Sequence, residues 1–263
     1  MDTEPKGSSV SDKESTWAMP VTRLKVTELP PGASNINVDG HQPVSPMQGF
    51  GQLWQKTFRI RLKGVLLSPA EVMDVWKANF QKFQPPENRF YPTLSGIKPG
   101  EVLLIEARVP PFPGLPSVLP VATGVLVMYA DAVAFTVMTP EGHPVSGWNT
   151  FSVSEEDGGL FAQIQTLERS SDFFYEFFNR FLGSSGQQDK IWKHVLVSLS
   201  DHLGVKGEQV TYSKVLVDPR VQWSQARNIW NNAAIRTVFH LSLSPFRKIK
   251  EAVNSSRKSK ATG

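Results

Sequence analysis

The chain predicts an α+β fold: a curved antiparallel sheet wrapped around a long C-terminal helix, with an extra amphipathic helix after it. Three observations predict it. An alternating strand-like segment (57–63) and a capped helix (from 68) come first, and a series of strand-like segments joined by short turns fills 101–168. A helical stripe at 190–203 follows. Sequential strands joined by short turns pair antiparallel, and the apolar face of such a sheet needs a helix against it. Bending the sheet around that helix leaves a cavity lined by apolar and aromatic groups, the usual form of a small-ligand site.

The first strand rests on period two. Phe58, Ile60 and Leu62 point one way, Arg59, Arg61 and Lys63 the other. Ser68-Pro69 with Glu71 forms a capping box, and Val72, Met73, Val75, Trp76, Phe80 and Phe83 recur at helical spacing up to Pro85-Pro86. Residues 84–100 read as a loop punctuated by proline and glycine. Segment 101–109 is a strand with Val102, Leu104 and Ala107 on one face, ended by the PPFPGLP breaker at 110–116. Segments 118–128 and 132–138 are two strands with a turn at Ala130-Asp131, and 139–147 is a loop. Segments 148–154 and 160–168 form a hairpin in which Phe161 and Ile164 suggest a bulge. Asp172 caps a short aromatic helix, 183–186 is a link, and Asp189 caps the helix 190–203, striped by Ile191, Val195, Leu199 and Leu203. A short strand at 212–217 and an amphipathic helix at 221–241 complete the pattern, the latter carrying Trp223, Ala226, Trp230, Ala233, Ile235 and Val238. The division is an extended or disordered N-terminal arm (1–49), with one strand at 21–26. The sheet-and-helix domain (50–205), an extension (206–254) and a basic tail (255–263) follow.

Composition excludes several chemistries. The 263 residues contain no cysteine, so disulfides, thiolate metal sites and cysteine nucleophiles are out. The acidic, polar start MDTEPKGSSVSDKEST is no secretory signal, and the most apolar stretch, 118–138, is interrupted by Pro120, Gly124 and Asp131. A soluble, cytoplasmic protein is the expectation. The net charge of +4 is uneven: from Arg220 onward nine Lys or Arg face one acid, Glu251, while the rest holds 19 basic and 23 acidic residues. Such a basic end suits an anionic membrane, through Arg227, Arg236, Arg247, Lys248 and Lys250. Nucleic acid is disfavoured, because the body is acidic.

The segment Phe135-Thr136-Val137-Met138-Thr139-Pro140-Glu141-Gly142-His143-Pro144-Val145-Ser146-Gly147 is similar to one in an uncharacterised family of bacterial and plant proteins, a domain of unknown function. The element order resembles the START-like, birch-allergen-like helix-grip superfamily to which that family belongs. The resemblance spans roughly 55–205 and rests on Gly142, His143, Pro144 and Gly147. It implies a helix-grip fold with a pocket and no established reaction. The family continues with two acidic residues where this chain has Trp148 and Asn149.

His143, in a loop at a strand end, is the candidate catalytic residue, able to act as a general base or to bind a ligand carbonyl. The plainer alternative is that it fixes its loop with one backbone hydrogen bond. His194 and His202 are eight apart on one helix, about 80° off a common face, and are expected on the surface. Glu101, Glu106, Glu141 and Glu168 could form an acid–base pair, but Glu106 with Arg108 and Glu168 with Arg169 read as surface charge patterns. Trp76, Phe135, His143, Trp148, Phe151, Phe161 and Trp192 are the candidate ligand-binding residues. No metal spacing, phosphate loop or dinucleotide fingerprint occurs, and no cofactor is expected. The functions that follow are binding of a hydrophobic small molecule or lipid, a cyclase- or hydrolase-like enzyme, or a structural domain without ligand.

Overall fold

The computed structural model describes residues 15–91, 93, 95–109, 119–181 and 185–243. The breaker at 110–116, the tail, and Arg247, Lys248 and Lys250 lie outside them.

Eight antiparallel strands form one sheet in the order β2-β3-β4-β5-β6-β7-β1-β8. β1 (Leu53–Arg61) starts earlier than its alternation suggests, and the inward parity extends back from Phe58 and Ile60 to Lys56 and Trp54. α1 (Pro69–Asn79) opens with the expected box: the Ser68 N–H donates to Glu71 Oε2 at 2.8 Å, and the Glu71 N–H to Ser68 Oγ at 3.3 Å. It tightens into a 3-10 turn, Phe80–Phe83, before the prolines.

β2 (Asn88–Tyr91) falls inside the segment read as loop. Four residues beside prolines are too few to display a period, and pairing with β3 (Val102–Val109) defines the strand. In β3, Leu103, Ile105 and Ala107 face the main core while Val102 and Leu104 face the other side. The expected grouping of Ala107 with Val102 and Leu104 is therefore wrong. It failed because both faces of β3 are covered, which hides the alternation. β4 (Leu119–Ala130) turns into β5 (Ala134–Met138) through Asp131, whose Oδ1 accepts the Val133 and Ala134 N–H groups at 2.8 and 2.7 Å.

β6 (Val145–Glu156) begins within the expected loop and joins β7 (Gly159–Ser170) through a two-residue turn at Asp157-Gly158. Their register is unbroken from Val145↔Ser170 to Glu156↔Gly159, so the expected bulge is absent. Phe161 only seemed out of step. It lies on the outer face, with the Arg59 guanidinium 3.9 Å from its ring centre.

α2 (Phe173–Phe181) precedes α3 (Ser185–His202). Asp189 lies inside α3 and does not cap it; its carboxylate is engaged by Lys56 at 3.0 Å. β8 (Thr211–Asp218) returns to pair with β1. The expected single helix 221–241 is two pieces, a 3-10 helix (Trp223–Asn231) and α4 (residues 233–243). Asn232 makes the break: its Oδ1 accepts the Ile235 N–H at 3.0 Å and its Nδ2 donates to Asp172 Oδ2 at 2.8 Å.

The concave face of the sheet grips α1 and α3. Phe135 and Phe151 stack with centroids 4.5 Å apart, and Phe80 and Trp76 meet Phe151 edge-on. α3 adds Trp192, Val195, Leu196 and Leu199 to this core. On the convex face the N-terminal arm buries Leu24 and Val38 against Tyr91, Leu104 and Leu126. The expected strand at 21–26 does not form; Leu24 instead exchanges backbone hydrogen bonds with His41 and Gly40 in a turn of the arm itself.

Candidate ligand cavity

Between the concave face and the helices lies a cavity of about 1120 Å³. All eight strands contribute to its walls, mostly through alternate residues, which is what the period-two pattern delivers to a bent sheet. One end is aromatic and aliphatic, with Phe90, Ile105, Val121, Val125, Phe151 and Trp192. The 3-10 residue Phe80 closes this end, packing edge-on against Phe90 at 5.1 Å.

The other end is polar. Lys56 is almost fully buried and touches Glu168 at 3.2 Å, Asp189 at 3.0 Å and Gln188 Oε1 at 2.9 Å. Gln188 Nε2 in turn donates to Glu168 Oε2 at 2.8 Å. Burial alone would lower the Lys56 pKa, but the two carboxylates outweigh it and hold the ammonium above its usual value. Three oxygens surround the one ammonium, and the cluster ties α3 to β1 and β7.

The candidate residues divide. His143, Phe151 and Trp192 line the cavity. Trp76 and Phe135 are wholly buried in the core beside it and are not among its lining residues. Trp148 and Phe161 have the opposite parity to Phe151 and Ile164 and face away, so neither belongs to the site. Strand parity misassigned Phe161 because an aromatic ring in a strand is ordinarily core, whereas here two arginines cover it.

His143 is half-buried at the cavity edge, with Nδ1 held between the Val145 N–H at 3.2 Å and the Val145 carbonyl at 3.0 Å. Burial lowers its pKa to about 4, so the ring is neutral at pH 7. The surrounding motif has a steric reason. Gly142 has φ 82°, and a Cβ there would lie 1.8 Å from the Asn231 carbonyl oxygen; a Cβ on Gly147 would lie 2.1 Å from the Leu167 oxygen. The turn is thus built for close backbone approach, and the Ala233 N–H bonds to the Gly142 carbonyl across it at 2.9 Å.

His194 and His202 are exposed, His194 at the cavity margin. The four candidate carboxylates do not meet. Glu106 accepts from the Tyr91 hydroxyl at 2.8 Å, Glu141 lies 3.8 Å from His41, and only Glu168 faces inward. Glu168 and Arg169 are not a surface pair: both are buried, and Arg169 bonds the Gly51 and Arg220 carbonyls and Asp218. Among the described residues no three histidine or acidic side chains gather as a metal site would require.

Sequence reasoning missed Lys56, Thr123, Asn149 and Gln188. Parity pointed to Lys56, two residues before Phe58, and to Asn149, two before Phe151. Asn149 pairs with Thr166 on the inward side of β6 and lines the cavity.

No family model matches the chain, nor does any curated protein. Among solved structures it is similar to a START superfamily protein from Mycobacterium smegmatis, at 13% identity over 59% of this chain and 98% of that one, with a TM-score of 0.39. It is similar to Ara h 8.0201 at 11% identity, over 57% and 97% of the two chains, with a TM-score of 0.37. The di-domain ARO/CYC StfQ from the steffimycin biosynthetic pathway shares 6% identity over 59% and 53%, with a TM-score of 0.37. At such distances function has to be read from this chain's own residues. No described helix is long and apolar enough to cross a membrane.

Proposed function

We propose that the protein binds a hydrophobic small molecule or lipid in this cavity and does so at an anionic membrane surface. The observation that carries the first half is the cavity itself: about 1120 Å³ of space, aromatic at one end, beneath a sheet that has already closed a full core around Phe58, Phe135, Phe151 and Leu196. The cavity opens to solvent, and its apolar lining is left without side chains over it, unlike the close-packed core beside it, which weighs against a structural domain without ligand.

The membrane half is supported by the helices at the cavity margin. Phe174 and Tyr175 of α2 and Ala234 of α4 line the cavity, while Phe173, Trp223, Trp230, Ile235 and Phe239 are exposed around them. Arg227 and Arg236 are exposed among these side chains, and the sequence continues with Arg247, Lys248 and Lys250. Apolar side chains bordered by cations suit an anionic bilayer.

Native mass spectrometry of protein purified from its own source tests the binding reading, together with thermal shift across a lipid panel. A bound small molecule and a selective rise in melting temperature are expected. Repeated absence of both overturns it. A cyclase- or hydrolase-like enzyme is the second reading, supported by His143 at the cavity edge. Its weakness is chemical: a base with pKa near 4, its Nδ1 already engaged by Val145, is poorly matched to proton abstraction at pH 7. On either reading, the Gly142-His143-Pro144 turn with Gly147 is the feature that would tie the chain to the uncharacterised bacterial and plant family.

A further inference from the structure

α2 is apolar on every side yet adds nothing to the core. Phe173, Phe174, Tyr175, Phe177, Phe178 and Phe181 make it mostly aromatic. A helix apolar all round is ordinarily buried. Here Phe173, Phe174 and Phe177 are exposed and Tyr175 and Phe178 half-buried, and none of these five joins the core that α1 and α3 close.

The helix stands instead between the cavity and the outside. Phe174, Tyr175 and Phe178 line the cavity, with the rings of Phe174 and Phe178 centred 4.5 Å apart. Phe173 packs edge-on against Phe50 at 6.1 Å, beside Trp223. Phe174 lines the chamber and is 37% exposed, so chamber and solvent meet along α2.

The two ends of α2 are held differently. At its start, Asp172 Oδ1 accepts from the Tyr175 N–H at 3.0 Å, and Asp172 Oδ2 takes the hydrogen bond from Asn232, which in turn caps α4. Both residues of this joint are fully buried, and the Tyr175 hydroxyl accepts the Ala234 N–H at 3.2 Å beside it. Towards the other end, Asn179 Nδ2 donates to Ser170 Oγ of β7 at 2.8 Å, in a part-buried contact. A segment with few buried apolar contacts, held by hydrogen bonds near solvent, is where a fold opens first.

We infer that α2 is the door of the cavity: it turns about the buried Asp172–Asn232 joint, parts from β7 at the Asn179–Ser170 latch, and passes the ligand between the chamber and the bilayer. Phe174 and Phe178 form its inner side, and Phe173 and Phe177 its outer side. This rests on the cavity and membrane readings above and adds the route between them.

The chain has no cysteine, so Ser170→Cys with Asn179→Cys introduces one pair that diamide oxidation joins across the latch. Transfer of anthroyloxy-stearate and of pyrene-labelled phosphatidylcholine, from vesicles of phosphatidylserine and phosphatidylcholine to the full chain, is followed by fluorescence. Closing the latch is expected to slow transfer at least about tenfold, reversibly on reduction, with vesicle sedimentation unchanged. Oxidised and reduced forms are one variant, so any effect of the substitutions on folding or on the cavity acts on both. Ser170→Ala with Asn179→Ala removes the latch bond and is expected to speed transfer severalfold; if the disulfide does not form, this pair decides alone. Equal rates for the oxidised and reduced forms, or unchanged transfer by the alanine pair, overturn the door while the cavity reading stands. If neither probe binds the unaltered protein, the cavity reading falls and the door with it.

Discussion

α3 and α4 present opposite sides of their sequences to the same domain. α3 turns Trp192, Val195, Leu196 and Leu199 into the core, all nearly inaccessible. α4 turns Ala233 and Thr237 inward and leaves Ile235, Val238, Phe239 and Leu241 outside. Its attachment is polar: Thr237 Oγ1 accepts from Asn37 Nδ2 at 3.0 Å and from the Ala122 N–H at 3.1 Å. β5 stops short of that stretch of β4, and these side chains satisfy backbone groups that a neighbouring strand would otherwise take. An apolar stripe therefore records which face of a helix needs cover, and not that its own domain supplies it.

The comparison breaks most sharply at the ion cluster holding α3. Lys56→Met leaves the Glu168 and Asp189 carboxylates buried without their cation, which is expected to cost about 3–5 kcal/mol. Denaturant unfolding measures it, and Lys56→Met combined with Glu168→Gln and Asp189→Asn should recover much of the loss. Leu196→Ala, fully buried in the α3 stripe, is expected to cost about 2–5 kcal/mol by cavity formation. A loss below ~1 kcal/mol would mean that α3 is not gripped as described.

His143 sits where the motif turn meets α4, and its burial has a pH consequence. Its folded pKa of about 4 lies below the ordinary 6.5, so the unfolded chain binds the proton more readily. The stability it contributes is fully present above pH 6.5 and is lost as pH falls from there through about 4, by up to ~3 kcal/mol. His143→Gln should flatten that part of the stability profile, read from unfolding midpoints at pH 7, 5.5 and 4. An unchanged profile would remove the ring from the buried joint.

How much of this was legible follows from the type of contact. The α3 stripe, the capping box at Ser68 and the inward Phe58, Ile60 and Phe151 were readable, because burial imposes a period on neighbouring residues. The four-residue β2 has no period to show. Phe161 misled because stacking on Arg59 and Arg61 gives an outward ring a reason to be there. Asn149 shares the parity of Phe151 and was passed over because polar residues in strands ordinarily face water, and Thr123 was missed for the same reason. The polarity of α4 depends on Asn37, Ala122 and Asp172, contacts 60 to 200 residues away along the chain that no local pattern encodes.

Thr237→Val sharpens the other side of the comparison. It removes the acceptor shared by Asn37 and the Ala122 N–H while keeping the shape, and should cost about 1–3 kcal/mol. The loss should be local: amide exchange is expected to speed up through α4 while the amides of α3 keep their protection. Speeding of both helices together would show that α4 is an integral part of the core, against the polar docking seen at Asn232 and Thr237.

The smallest effect on stability should accompany the largest on membrane contact. Phe239 is 66% exposed and Ile235 47% exposed. Replacing both with serine touches no buried contact and should shift unfolding by under about 0.5 kcal/mol per site. If these side chains enter a bilayer, sedimentation with vesicles of phosphatidylserine and phosphatidylcholine should fall severalfold, since each loses on the order of 1.5–3 kcal/mol of burial on complete transfer. Added salt should weaken the remaining binding, because the exposed Arg227 and Arg236 act through screened attraction to the lipid charges. Unaltered vesicle binding by the double serine variant would assign the exposed face of α4 to another contact and leave the membrane reading resting on the basic residues alone.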